Sequence, residues 1–487
     1  MKLLIDTNVF IPLEPTSPSG LEALTESITR LVRLAAEAGF QIYLHPATRA
    51  DLERDKDAER QRLRHLLFSK YLAVPDPPPV GAKLEAVLGK AALLTNDWVD
   101  HQLIAALDGE AVDFLVTQDQ KLSKKAKRAG LGSRVFTVPE AIVLIEDLSE
   151  RVPSPPPAVR QVKSHAIPVT DPILDSFRDD YPGFDEWFKK CRRDHRQAWI
   201  IEGPSGGLAA FCVVNPEKEP PSPLEGKVLK LCSFKVSERY SGVRFGELLL
   251  KAVFEHATKN GYDWSFVTVF EKHERLIDLF ETFGFSRIQA RTRLGELILA
   301  KPMRPVQGSD STSPLAFHIR YGPRFFRTDV SWFAVPIQPR YARVLFPESA
   351  EQRDLHPGAH SFGNAIRKAY LCRAPIRTMS EGSVLLFYRS LEGRGAIALG
   401  VVEGTLISTS PEDLARTVGK RTVYSLKEIE TMCTRPVLAI LFRQARVFEE
   451  PISTQELVRQ GLFVRPPQSI MTLEGGGLEW LKKIAAE

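Results

Sequence analysis

The sequence predicts a multidomain α/β protein, and three observations carry that expectation. At 487 residues the chain is too long for one hydrophobic core. Two proline-rich stretches, RVPSPPPAVRQVKS from Arg151 and KPMRPVQGSDSTSPLAF from Lys301, interrupt it where neither a helix nor a central strand can continue. Short apolar runs alternate with segments of helical periodicity, which argues a parallel sheet with helices on its faces. The expected pieces are 1–150, 165–303 and 318–487, with linkers at 151–164 and 304–317. The stretch PDPPPVG from Pro75 reads as a surface loop inside the first piece.

Composition bounds the class. Apolar content of 43% and charged content of 26% are ordinary for a globular protein, and a net charge of +5 is weak over this length. There is no apolar run of membrane-spanning length, and Asp6 comes too early for a secretory signal. The five cysteines, Cys191, Cys212, Cys232, Cys372 and Cys433, form no CxxC pair. That excludes a zinc ribbon or a disulfide framework and suits a reducing cytoplasm. The expectation is therefore a cytoplasmic protein with no membrane partner.

In the first piece the strand KLLID is followed by a helix through LEALTESITRLVRLAAEAG, then the strand QIYLHP. A long charged helix is expected from Thr48 to Lys70, then a helix near VDHQLIAAL and the strands DFLVTQD and RVFTVP. Asp6 ends the first strand and Asp119 follows FLVT. Asp51 lies in the first turn after QIYLHP, and Asp100 opens DHQLIAAL with Asp97 one turn earlier. Each acid alone is an ordinary helix cap or a solvated charge. Four at the carboxyl edge of one sheet would repel one another unless a divalent cation joined them. Mg²⁺ or Mn²⁺ favours such oxygen ligands and can activate water against a phosphodiester.

The succession LLIDTN, ATRADLE, VDHQLIAAL and LVTQDQKL resembles the PIN-domain ribonucleases over nearly all of residues 1–140. The resemblance implies a parallel-sheet α/β/α sandwich, with Asp6, Asp51, Asp100 and Asp119 as the catalytic, metal-holding acids. Asn8 and Thr117 would orient them. The family's second acid is commonly Glu, whereas Asp51 stands here; Glu53 sits about 200° round the helix from it. The run KLSKKAKRAGLGSR after Asp119 is either a solvated helix face or a phosphate-contacting surface. Beside the acids, Lys124, Lys125, Lys127 and Arg128 are read as RNA contacts.

The middle piece carries the strands WIIEG, LAAFCVVN and KVLKLCSFKVSERY, then SGVRFGELLLKAVFEHATKNG as a helix with a glycine-containing entry. The strand DWSFVTVF and the short helix HERLIDLFETFGF follow. A strand turning into a helix N-terminus presents unpaired N–H groups to an anion. With FETFGF behind it, this pattern resembles the GNAT acetyltransferases, whose turn binds the pyrophosphate of acetyl-CoA. The resemblance places Val236, Arg239, Ser241, Gly242, Val243, Arg244, Phe245 and Gly246 at that cofactor. Arg244 stands where the family has its central glycine, and Ser241 where it has Gln or Arg. Phe280 stands where members often carry a Tyr that reprotonates the CoA thiolate, and Phe cannot donate a proton. Glu271, just past VTVF, is the candidate general base, with helix capping as its alternative role.

In the third piece, His318–Thr378 holds ten Arg or Lys against four Asp or Glu. Trp332, Phe333, Tyr341, Phe362 and Tyr370 interleave with these charges. The strands GSVLLFYRS and AIALGVVEGTL suit a compact barrel. IRKAYLCRAP followed by MSEGSVLLFYRS resembles the ASCH and EVE branch of the PUA-like β-barrels, which bind RNA or modified bases. The resemblance makes Asn364, Arg367, Lys368, Arg373 and Arg389 candidate RNA contacts, with aromatics to stack an unpaired base.

Together the resemblances imply an RNA-directed enzyme: a metal-dependent endoribonuclease joined to an acetyl-CoA-dependent N-acetyltransferase and a PUA-like domain. Toxin-like action on tRNA, held in check by an inhibitor or antitoxin protein, follows from family analogy alone. The alternative is a non-enzymatic RNA-binding regulator with a degenerate CoA-binding domain.

Overall fold

The structure, a computed structural model, describes residues 1–14, 24–149, 159–203, 206–237, 244–306, 312–347, 365–374, 376, 378–391, 394–421 and 423–486. They divide into two compact units. One comprises Met1–Val152 with Ser408–Pro436, and the other comprises Pro153–Ile407 with Val437–Glu487.

The first unit runs β1 (Lys2–Ile5), α1 (Thr7–Leu13), α2 (Thr25–Glu37), β2 (Gln41–Leu44), α3 (Arg49–Leu52), α4 (Ala58–Phe68) and β3 (Leu72–Ala73). It continues with α5 (Ala82–Leu88), α6 (Asn96–Asp108), β4 (Phe114–Val116), α7 (Gln120–Arg128), β5 (Val135–Phe136) and α8 (Val138–Leu148). The sheet order is β3-β2-β1-β4-β5, parallel at every pair. Central β1 and β4 are apolar runs because helices cover both faces, and Leu3, Leu4, Phe114 and Leu115 are fully buried.

One expected element is corrected. The segment from Thr48 to Lys70 is two helices, α3 and α4. Asp57 starts the second by accepting from the N–H groups of Glu59 at 3.1 Å and Arg60 at 3.0 Å. Asp55 meanwhile gathers the guanidinium groups of Arg60 and Arg64. A cap and an ion cluster outweigh continuous helical propensity there. Two further helices, Pro411–Val418 and Leu426–Met432, belong to this unit. Arg416 reaches Glu110 at 3.5 Å and Asp113 at 3.7 Å.

The second unit holds two sheets. The first uses β6 (Arg160–Lys163), β7 (Gln197–Glu202), β8 (Leu208–Glu217), β9 (Val228–Val236), β10 (Trp264–Val269), β11 (Ser286–Arg291) and β12 (Leu297–Pro302), in the order β11-β12-β10-β9-β8-β7-β6. Helices α9 (Asp175–Asp180), α10 (Phe184–Arg193), α11 (Phe245–Lys259) and α12 (Glu274–Thr282) are interleaved with them. The apolar face of α11 enters the core through Phe245, Leu249, Leu250, Val253 and Phe254. The other sheet has the order β14-β17-β16-β15-β13-β18. Its strands are β13 (Trp332–Ile337), β14 (Arg367–Cys372), β15 (Val384–Arg389), β16 (Gly395–Ser408), β17 (Val437–Ser453) and β18 (Met471–Leu473). Helices α13 (Pro314–Tyr321) and α14 (Pro339–Leu345) precede and follow β13. No helix among the described residues is long and apolar enough to cross a membrane.

Candidate functional site

The site in the second unit begins with two strands that part. Parallel β9 and β10 pair only from Val228↔Trp264 to Leu231↔Val267. Beyond Leu231, β9 stays paired to β8 through Ser233, Phe234, Lys235 and Val236, but β10 has left its other edge. Main-chain N–H and C=O groups that lose a strand partner must find another one. The divergence is a slot into which an extended, amide-bearing ligand can hydrogen-bond as a strand would. The next helix, α11, opens at Phe245, so its N-terminal N–H groups stand where β9 leads.

The expected phosphate turn is described only at its ends. Arg239, Ser241, Gly242 and Val243 lie outside the described residues. Arg244 caps α11 in the left-handed conformation, φ +60°, which favours the glycine that the family pattern puts there. Its Nη1 donates to the carbonyl of Arg367 at 2.9 Å, and Glu247 lies at 3.7 Å. Its guanidinium is therefore drawn toward β14. Phe245 is buried, and Val236 packs against the same core. Gly246 is needed for close approach: a Cβ there would meet Leu279 Cδ2 on α12 at 2.7 Å.

A polar cluster lies just past β10. His273, the residue that starts α12, has its Nε2 2.7 Å from Asp180 Oδ2 at the end of α9. Lys272 also pairs with Asp180. Burial alone would raise the Asp180 carboxyl, but the hydrogen bonds from Lys272 and His273 outweigh it and hold the group below its ordinary range. Tyr181 donates to Glu296 Oε1 at 2.6 Å, and Thr292 donates to its Oε2 at 2.8 Å. Glu271 is instead an exposed ion-pair partner of Arg291 at 2.7 Å. Phe280 is wholly buried, edge-on to Phe234 at 5.1 Å and Phe285 at 4.8 Å. The sequence reading missed His273. Its only local signal was a His soon after a strand end, and Asp180 lies 93 residues away.

Residues 165–285 match the acetyltransferase (GNAT) family. The middle of the chain is a GNAT domain. No curated protein matches the chain. Among solved structures it is similar to an acetyltransferase of the GNAT family from Staphylococcus aureus, at 13% identity, covering 30% of this chain and 100% of that one with a TM-score of 0.24. Arabidopsis thaliana NAA60 in complex with a bisubstrate analogue gives 14% identity, 30% and 98% coverage, and a TM-score of 0.25. ASCH from Zymomonas mobilis gives 15% identity, 31% and 94% coverage, and a TM-score of 0.24.

Outside the GNAT domain, the first unit gathers the predicted acids at one sheet edge. Asp6 accepts from Asn8 Nδ2 at 2.6 Å, Thr117 Oγ1 at 2.7 Å and the Thr7 N–H at 2.7 Å. Burial pushes its carboxyl up to about 7; the Thr117 and Thr7 hydrogen bonds oppose this, and the Asp100 and Asp51 carboxylates add to it. Asp100 is also raised, by burial first, with Lys125 opposing and Asp119 and Asp97 adding. Asp51 accepts from Thr7 Oγ1 at 2.8 Å and pairs with Arg54 at 2.7 Å. Asp119 caps α7 through the Lys121 N–H at 2.6 Å. Among the described residues no three of His, Cys, Asp and Glu stand together so as to hold a metal ion. Lys125 pairs instead with Asp100 at 2.7 Å and Arg54 with Asp51 at 2.7 Å.

The predicted RNA contacts separate. Lys124, Lys127 and Arg128 are exposed on α7. Lys125 is not presented to a phosphate; its Nζ lies 2.6 Å from Asp97 and 2.7 Å from Asp100. Lys368 is fully buried, donating to the Leu345 carbonyl, because on β14 its side chain points into the core. Arg367 pairs with Glu403 at 3.1 Å. Arg373 is exposed and Arg389 half-buried, while Asn364 lies outside the described residues. Trp332, Phe333 and Tyr370 are core residues, so they cannot stack a base. Tyr341 is half-buried, and Phe362 lies outside the described residues.

Proposed function

We propose that this chain is an acetyl-CoA-dependent N-acetyltransferase acting through its GNAT domain. The observation that carries the reading is the parting of β9 from β10 beside the N-terminus of α11, in the segment that matches the family. When bound, acetyl-CoA supplies the activated acetyl group. The free edge of β9 would hold its amide-bearing arm and the α11 N-terminus its phosphates. Calorimetry with acetyl-CoA tests this: Gly246→Trp, which drives a ring into Leu279 and the slot, abolishes binding. Equal binding by wild type and this variant would sink the site assignment.

A second reading concerns the first unit: an RNA-cleaving, Mg²⁺- or Mn²⁺-dependent domain built on Asp6, Asp51, Asp100 and Asp119. The hydrogen bonds that hold Asp6 to Asn8 and Thr117 and Asp51 to Thr7 at one sheet edge favour it. Metal would have to displace Lys125 and Arg54. Exposed Lys124, Lys127 and Arg128 would contact RNA, tRNA being one candidate, and an inhibitor protein could cover the same edge. The barrel-like third piece would hold RNA as PUA-like domains do. Loss of cutting on EDTA treatment and in Asp6→Asn or Asp100→Asn is expected. Cleavage by either variant at the parent rate would overturn the acid assignment, whereas no cleavage by the parent protein would leave the alternative, a non-enzymatic RNA-binding regulator.

A further inference from the structure

We propose that His273, held by Asp180, is the general base that takes the proton from the acceptor amine during acetyl transfer. The proposal rests on the acetyltransferase reading above and adds a residue to it.

Three observations place the pair. His273 follows Val269, the last residue of β10, by four positions, so its backbone lies within about 14 Å of that strand end. It starts α12, the helix whose Leu279 faces Gly246 and whose Phe280 packs on Phe234 of β9. The imidazole is thus at the end of the helix that walls the slot. Its side chain is 37% exposed, open to an incoming amine, while that of Asp180 is only 10% exposed.

The chemistry follows from the hydrogen bond. A carboxylate accepting from Nε2–H fixes that tautomer and leaves the lone pair on Nδ1. Asp180 stays ionised because Lys272 and His273 both donate to it. In the reaction the amine nitrogen attacks the thioester carbonyl carbon and forms the C–N bond. Nδ1 takes the proton released from that nitrogen, the C–S bond breaks, and the electron pair leaves on the CoA thiolate. The imidazolium returns its proton to the thiolate through water, so proton and charge balance without a donor at Phe280. The charged group on the ring is Asp180, which Lys272 also pairs with; Glu271, two residues before His273, pairs with Arg291 at the end of β11 at 2.7 Å.

The test uses the full chain, radiolabelled acetyl-CoA and a mixture of short peptides with free α- and ε-amines. His273→Gln should bind acetyl-CoA within about threefold of wild type by calorimetry yet transfer acetyl roughly 10²-fold more slowly. The acid limb of the wild-type rate profile should vanish in the variant, and added imidazole should restore part of the rate. Asp180→Asn should lower kcat with KM unchanged, as a positioning residue would. His273→Gln with the wild-type rate and acid limb overturns the base assignment and leaves the acetyltransferase reading intact. Wild type that binds no acetyl-CoA, or binds it and acetylates none of the peptides, overturns both.

Discussion

Arg244 donates a hydrogen bond from Nη1 to the main-chain carbonyl of Arg367, 2.9 Å away. The Arg367 N–H in turn donates to Glu247 at 2.7 Å, and Arg443 donates to Glu403 at 2.7 Å and to the Thr282 carbonyl at 3.0 Å. The first turn of α11 is therefore tied to the sheet that contains β14 and β17. Arg244→Ala should lower unfolding stability by about 1.5–3 kcal/mol, the range for a hydrogen bond to a charged group. Urea denaturation measures it; an unchanged midpoint and slope would show that the tie contributes nothing.

At Gly246 the size of the side chain decides the outcome. An alanine Cβ would press on the end of the Leu279 side chain, so Gly246→Ala should cost about 1–3 kcal/mol. Leu279→Ala in the same chain should relieve that pressure, at the expense of its own cavity. A double-mutant cycle reads the coupling, and strict additivity would contradict the contact.

Phe280 gives a result opposite to the family pattern. Its ring is fully buried between Phe234 and Phe285, so Phe280→Tyr carries a hydroxyl into apolar packing. We expect a loss of about 1–3 kcal/mol and no gain in acetylation rate. A rate increase in Phe280→Tyr would show that the hydroxyl reaches the thiolate after all.

His318 gives a pH signature. It is fully buried, and that burial pushes its imidazole down to about 3, against the hydrogen bond to the Phe325 carbonyl and with Arg443 and Lys301 adding to the fall. Its folded pKa lies below its unfolded one, so its contribution is complete above about pH 6.5 and is lost as the unfolded chain takes up the proton. Stability should fall by about 3 kcal/mol between pH 7 and pH 4 through this group. His318→Asn should flatten that part of the slope in melts across the range. An equal slope in both proteins would rule His318 out as its source.

The residues that act locally were legible. The run KLLI continuing into Asp6 identified both a central strand and the acid at its end, because burial pattern and helix capping operate within one strand or one turn. The glycine that opens GELLLKAVF, Gly246, marked the entry of α11, where a Cβ would meet Leu279 at 2.7 Å.

The charged positions were not legible in the same way. Lys125 and Lys368 both looked like surface cations, since a lysine's sequence neighbours do not reveal what faces its Nζ. Packing α7 beside α6 turned Lys125 onto Asp97 and Asp100, and the pleat of β14 turned Lys368 inward to the Leu345 carbonyl. By itself the sequence determined the strand–helix alternation and the caps, set by periodicity and short-range hydrogen bonds, and its resemblance to the GNAT family marked the middle piece. Only the tertiary structure decided that His273 meets Asp180 and that Arg244 meets Arg367, partners 93 and 123 residues apart. Which long side chains share a charge depends on how the packed elements face one another, and no local pattern encodes that.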